Sequence, residues 1–204
     1  MIALIDYGMG NLRSVKKALE NLDAPAEIVQ TPEQIDAADK VILPGVGAFR
    51  DAIATLQQKN LDEPIRQAVE QGKWFLGICL GLQLLFDLSY EDGEYQGLGI
   101  VPGKVQRFSF NGNATDLKVP HMGWNALQMQ KESPLNTGLE GQPYTYFVHS
   151  YHVVPDDDSV IATTTDYGYP FVSSIAADNV LATQFHPEKS QRVGLQMLRN
   201  FAAL

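Results

Sequence analysis

The chain has 204 residues, 45% of them hydrophobic, and a formal net charge of −9. That length can bury roughly 70% of the unfolded surface, so a core forms without disulfides or metals, and a single domain over 1–204 is expected. The acidic balance argues against non-specific nucleic-acid binding, which needs basic surface, and no apolar run approaches the roughly 20 residues of a membrane span.

Ile2–Asp6 is a short apolar run that predicts a first strand. Leu12, Val15, Leu19 and Leu22 then recur at helical spacing behind Asn11, a candidate N-cap. Ala26–Gln30 predicts a second strand. Thr31-Pro32-Glu33-Gln34 supplies an N-cap, a proline at the first helical position and a capping-box glutamine. Lys40–Leu43 predicts a third strand, stopped by Pro44-Gly45. Helical patterns cover roughly 48–58 and 61–71, and Gly72 sits where a helix is capped. Lys73–Cys79 reads as a continuous apolar strand and Leu80–Leu88 as a short apolar helix. Apolar strands alternating with helices imply an open, mainly parallel sheet covered by helices on both faces.

After about residue 96 the character changes. KVQRFSF, YTYFVHSYHVV, VIATTT, FVSSIAA and VLATQF are rich in β-branched and aromatic residues. Turn signals separate them: Asn111-Gly112, Pro155-Asp156, Tyr167-Gly168 and Asp178-Asn179. A β-rich, partly antiparallel C-terminal part is expected, closed by a helix from about Ser190 with Val193, Met197 and Phe201 on one face. No repeat, low-complexity tract or linker interrupts this α/β organisation.

The single cysteine, Cys79, lies between glycines in Gly77-Ile78-Cys79-Leu80-Gly81, where a buried strand gives way to a helix. G-x-C-x-G is the thiol version of the nucleophile elbow, in which glycines clear space for a sharp strand-to-helix turn. Helix N–H groups, beginning with that of Leu80, then favour a thiolate and hold a developing oxyanion. The plain alternative is a structural cysteine at a glycine-rich strand end. A lone thiol also fits a reducing compartment, and the N-terminus MIALIDYG lacks the basic start of a signal peptide. A cytoplasmic protein is expected.

A thiol nucleophile wants a base, and the base an orienting acceptor. Of four histidines, His121, His149, His152 and His186, only the last has a carboxylate two residues on, in Phe185-His186-Pro187-Glu188. Residues i and i+2 of an extended segment point the same way, so Glu188 can fix the imidazole while His186 takes the thiol proton. The bland reading has Glu188 opening the last helix. His149 and His152 raise the question of a metal, but three-residue strand spacing sets them on opposite faces with no third ligand near. No metal is expected, and that segment lines a pocket or packs in a sheet. Pro44-Gly45-Val46-Gly47 ends a strand beside the elbow, where a glycine lets a backbone N–H approach a substrate carbonyl.

Together, GICLGLQLLF, the later HPE and the PG-rich strand end resemble the class I (triad) glutamine amidotransferases, in the same Cys, His, Glu order and across essentially the whole chain. Asp6–Asn11 (DYGMGN), Pro44–Gly47 (PGVG), Pro120–Asn125 (PHMGWN) and Tyr146–Tyr151 (YFVHSY) resemble, within that class, the glutaminase subunits of imidazole glycerol phosphate synthases. The resemblance implies a flavodoxin-like fold and a triad in which Cys79 attacks the glutamine carboxamide, His186 serves as base and then acid, and Glu188 orients it. It implies an oxyanion site at Val46, Gly47 and Leu80, and glutamine contacts from Gly47, Gln83, Ser150 and Tyr151. It implies no cofactor. Ammonia would pass to a (β/α)8 cyclase subunit, the partner in a heterodimer, whose liganded form stimulates an otherwise weak glutaminase. Asn11, Met122 and Trp124 would lie near that interface or the ammonia route, with core packing the alternative for each.

Overall fold

Strands and helices alternate through the first half because each apolar stripe has the period its element needs. In the computed structural model, which describes residues 1–110 and 117–204, β1 (Ile2–Ile5), α1 (Leu12–Glu20), β2 (Ala26–Val29), α2 (Pro32–Asp36), β3 (Lys40–Gly45), α3 (Phe49–Gln58), α4 (Asp62–Glu70) and β4 (Trp74–Cys79) follow in turn. The capping box forms: the Thr31 hydroxyl accepts the Gln34 N–H at 3.4 Å, and Gln34 Oε1 accepts the Thr31 N–H at 3.2 Å. Asn11 precedes α1 as expected, but its side chain makes no capping hydrogen bond. Gly72, with φ +79°, follows the end of α4.

Two boundaries differ from expectation. β3 runs on through Pro44 and Gly45, which pair with Ile78 and Cys79 of β4. The ladder with β1 stops at Ile42, so the proline lies where one side of the strand is already free. The expected helix over 80–88 is only one turn, α5 (Leu80–Gln83), and Phe86–Ser89 is a strand, β5. Leu82 to Phe86 are all buried, so no periodicity marks where helix gives way to strand. The Leu85 carbonyl secures the change by accepting the N–H groups of Ile100 and Val101, at 2.8 and 3.0 Å.

The remaining elements are β6 (Tyr95–Gln96), β7 (Val101–Arg107), β8 (His121–Ala126), β9 (Gln128–Met129), β10 (Tyr144–His149), β11 (Tyr151–Pro155), β12 (Ile161–Asp166), β13 (Pro170–Ala177), β14 (Val180–Thr183) and α6 (Gln191–Ala203). YTYFVHSYHVV is thus two strands that break at Ser150 and join different sheets. Gly168 and Asp178 adopt φ of +79° and +47° in the turns flanking β13, as the turn signals require. Asn111-Gly112 lies outside the described residues.

The largest sheet has the order β2-β1-β3-β4-β14-β13-β12-β9, and two smaller ones pair β10 with β8 and order β11-β7-β5-β6. From β2 to β14 the large sheet is parallel; β13, β12 and β9 extend it antiparallel. Successive residues of β1 face opposite cores. Ala3 and Ile5 pack with Ile35, Phe49, Leu56 and Ile65 of α2, α3 and α4; Ile2 and Leu4 pack with Val15 and Leu19 of α1 and Met197, Leu198 and Phe201 of α6. This ordering brings the carboxyl ends of β3, β4 and β14 side by side, where ligands bind in open α/β sheets. Among the described residues no helix is long and apolar enough to cross a membrane.

Candidate active site

Cys79 closes β4 with φ +57° and ψ −108°, and α5 begins at the next residue. A non-glycine residue held there stores about 1–3 kcal/mol of backbone strain, and the packing around it shows what enforces the turn. A Cβ on Gly81 would stand 1.9 Å from the Leu43 carbonyl oxygen, one on Gly77 2.8 Å from the Gly81 oxygen, and one on Gly45 2.9 Å from Leu80 Cβ. Only glycine lets β3, β4 and α5 approach so closely. Because α5 is one turn long, the field expected from a helix dipole shrinks to that of its first few N–H groups.

His186 and Glu188 follow β14, in the chain entering and forming a 3-10 turn over Pro187–Lys189. The His186 N–H donates to the Tyr146 carbonyl at 3.0 Å, which anchors the segment. His186 Nδ1 lies 2.8 Å from Glu188 Oε1, with both side chains almost fully buried. An ionised carboxylate only accepts, so Nδ1 carries a hydrogen toward Glu188, and the buried Nε2 is the nitrogen left to share a proton with Cys79. Burial pulls the imidazole pKa down, but hydrogen bonding and charge from Cys79 and Glu188 outweigh it and push the value up to about 9.

Cys79 and His186 line one cavity of about 330 Å³ together with Val46, Gly47, Leu80, Gln83, Ser150 and Tyr151. The residues read from sequence as triad, oxyanion and glutamine contacts therefore meet, with Glu188 standing behind His186. Gly47 has φ +102°, a conformation that favours glycine. Gln83 is tied back into the protein: its Nε2 donates to the Tyr151 carbonyl at 3.1 Å and to Gln184 Oε1 at 3.0 Å.

Sequence reasoning missed several neighbours. Glu91 and Pro120 also line the cavity; the Glu91 carboxylate accepts the Phe49 N–H at 2.7 Å, and burial raises its pKa. Gln184 points its Nε2 at Cys79 Sγ, 3.8 Å away. The alternation that joined His186 to Glu188 already pointed to it, since Gln184 is two residues earlier. His149 lines the cavity too, on a different strand from His152 rather than on the opposite face of the same one. Its Nδ1 faces the Tyr151 carbonyl at 2.8 Å and its Nε2 faces His121 Nδ1 at 3.0 Å. Burial lowers the pKa of His121 to about 4 and of His149 to about 3, so both rings are neutral near pH 7.

Met122 and Trp124 alternate along β8, opposite Val148 and Tyr146 of β10, and are 62% and 47% exposed. Trp124 is not a core residue. Its ring meets that of Tyr146 edge-on at 6.1 Å. Asn11 lies at the start of α1, half-buried.

A thiol on a strained elbow, a buried His–Glu pair and an adjoining cavity on this sheet together make up the parts that a thiol nucleophile needs. The family model for class-I glutamine amidotransferases matches residues 3–204, and the chain belongs to that family. Three relatives named "Imidazole glycerol phosphate synthase subunit HisH" align along nearly their whole length. That of Syntrophotalea carbinolica is 54% identical over 98% of each chain. That of Aquifex aeolicus is 55% identical over 97% of this chain and 94% of its own, and that of Geobacter sulfurreducens 50% over 100% and 98%. Among solved structures, one described as "Crystal structure of glutamine amidotransferase" superposes with a TM-score of 0.76 at 21% identity, covering 100% of both chains. "Structure of PurLQS from Thermotoga maritima" gives 0.76 at 18% identity, covering 98% of this chain and 96% of that one; such identities speak for the fold alone. The chain is a glutamine amidotransferase, and these three relatives all carry the name of a subunit of imidazole glycerol phosphate synthase.

Proposed function

We propose that this chain is the glutaminase subunit of an imidazole glycerol phosphate synthase, using Cys79, His186 and Glu188 on L-glutamine. His186 Nε2 takes the proton of Cys79, and the thiolate attacks the carboxamide carbon to give a tetrahedral oxyanion. The N–H groups of Leu80 and of the Val46–Gly47 segment hold that oxygen. Imidazolium then protonates the departing nitrogen, releasing ammonia and leaving a glutamyl thioester. Water, deprotonated by the same imidazole, hydrolyses the thioester to glutamate and regenerates the thiol. Glu188 stays ionised and keeps Nδ1–H in place throughout. Gly47, Gln83 and the Ser150–Tyr151 backbone hold the α-amino and α-carboxylate ends of the substrate.

The observation that carries this reading is the shared cavity of Cys79 and His186, backed by the 2.8 Å contact of His186 with Glu188. The synthase assignment draws on the common name of relatives at about half identity. The partner would be a (β/α)8 cyclase that receives the ammonia and makes imidazole glycerol phosphate and aminoimidazole carboxamide ribotide, in histidine biosynthesis. The exposed Met122 and Trp124 supply an apolar face suited to such a partner.

The test is glutamate release from glutamine by the purified chain, alone and with the cyclase and its nucleotide ligand. Weak turnover alone and strong stimulation by the liganded cyclase are expected. Vigorous turnover that ignores the cyclase would keep the glutaminase and move it to another pathway.

A further inference from the structure

Gln184 is fully buried at the carboxyl end of β14, with one end of its amide on the sulfur and the other on Gln83. The hydrogen-bond network fixes which end is which. One amide atom of Gln83 faces two groups, the Tyr151 carbonyl at 3.1 Å and the Gln184 side chain at 3.0 Å. A backbone carbonyl only accepts, so that atom of Gln83 is its nitrogen. A nitrogen facing Gln184 needs an oxygen opposite it. Gln184 must therefore turn its NH2 group toward Cys79 Sγ, 3.8 Å away. Reversing the amide would set nitrogen against nitrogen at 3.0 Å in a buried site.

A thiolate sulfur accepts hydrogen bonds far better than a thiol sulfur, so a fixed donor beside it favours the ionised form. We infer that Gln184 is a hydrogen-bond donor to the Cys79 thiolate, held in its donating orientation by Gln83 and the Tyr151 carbonyl. The inference rests on Cys79 being the nucleophile. It gives Gln83 a second duty: besides facing the cavity, it sets the polarity of the group that supports the attacking sulfur.

The experiment measures the rate of Cys79 alkylation by iodoacetamide at pH 7 and at pH 10, in wild type, Gln184→Met and Gln184→Glu. Methionine keeps the length and loses the donor; glutamate keeps the acceptor for Gln83 and sets a carboxylate against the sulfur. The pH 7 rate is expected to fall about tenfold in Gln184→Met, the low end for a hydrogen bond to a charged group, and further in Gln184→Glu. The pH 10 rate should fall less than the pH 7 rate in each variant, because alkaline solution favours the thiolate whatever its neighbours. A purely structural disturbance would move both rates together, and an unchanged ratio of the two would overturn the inference. Wild-type protein gives an independent check that needs no variant to fold. The Gln184 side-chain NH2 resonances should shift with pH in step with alkylation, and resonances that ignore thiol ionisation would also overturn it. Glutaminase activity surviving in Cys79→Ala would instead remove the nucleophile assignment, and this inference with it.

Discussion

His186 Nδ1 stands 2.8 Å from Glu188 Oε1 across a single proline, while His186 Nε2 is buried and makes no contact with that carboxylate. One nitrogen is therefore committed to a carboxylate and the other is free to exchange a proton with a thiol. In the proposed mechanism Glu188 supports the base without taking the proton. Glu188→Gln is expected to lower kcat substantially, but about a hundredfold less than His186→Ala, the ratio seen when the acceptor and the base of a triad are removed separately. Steady-state glutamate release in the cyclase complex measures both. The reverse order would take Glu188 out of the supporting role.

The backbone at Cys79, φ +57° and ψ −108°, is a conformation that glycine adopts freely and other residues resist. Replacing Cys79 by alanine keeps the strain and replacing it by glycine removes it. Allowing for the larger unfolded-state entropy of glycine, Cys79→Gly is expected to be about 1 kcal/mol more stable than Cys79→Ala. Urea unfolding of the two inactive variants gives the difference. An alanine variant equal to or above the glycine variant would mean that the elbow holds no such strain.

The glycines that make the elbow are constrained by neighbouring backbone. A Cβ at Gly81 would fall 1.9 Å from the Leu43 oxygen, an atom of the central sheet that has little room to retreat. Gly81→Ala is expected to lose at least about 3 kcal/mol, the range of severe core overpacking, and to melt well below wild type. A variant with native stability would show that β3 and α5 can separate.

The elbow, the His-Pro-Glu pair, the capping box at Thr31 and the parallel half of the fold were legible because each rests on residues close together in sequence. What could not be read is long-range or lacks a pattern. The Leu82–Phe86 run is buried throughout and apolar but for Gln83, so it carries no period that distinguishes helix from strand, and the helix expected over 80–88 ends after one turn. Pro44-Gly45 resembles a stop, yet β4 pairs with both residues because the neighbouring β1 ladder has already ended. β8 hides behind Gly123, which has φ +136° in mid-strand. The hydrogen bond between His121 and His149 depends on the pairing of β8 with β10, a register no local motif announces.

Those two histidines set an acid limit on stability. Burial holds the folded pKa of His121 near 4 and of His149 near 3, below the ordinary value of 6.5. The unfolded chain therefore binds more protons than the folded one between about pH 6.5 and pH 4, and stability falls as the pH falls through that window. Above pH 6.5 the pair's contribution is fully present. The loss by pH 4 is expected to be on the order of 6 kcal/mol for the two rings together, about 3 kcal/mol from each, since each pKa unit corresponds to about 1.4 kcal/mol. His121→Asn, whose amide sits near the Nδ1 position and can still donate to His149, should flatten this dependence. Unfolding free energies at several pH values, compared between wild type and variant, measure it. Equal slopes would mean that these rings do not govern acid sensitivity.

The central claim is that glutamine is opened by Cys79 and that the rest of the complex only uses the ammonia. The direct measurement is product formation by the complex of Cys79→Ala with the cyclase, supplied either with glutamine or with free ammonium. Loss of the glutamine-dependent reaction with the ammonium-dependent one retained is the expected result. A variant complex that still consumes glutamine at near wild-type rate would contradict the claim.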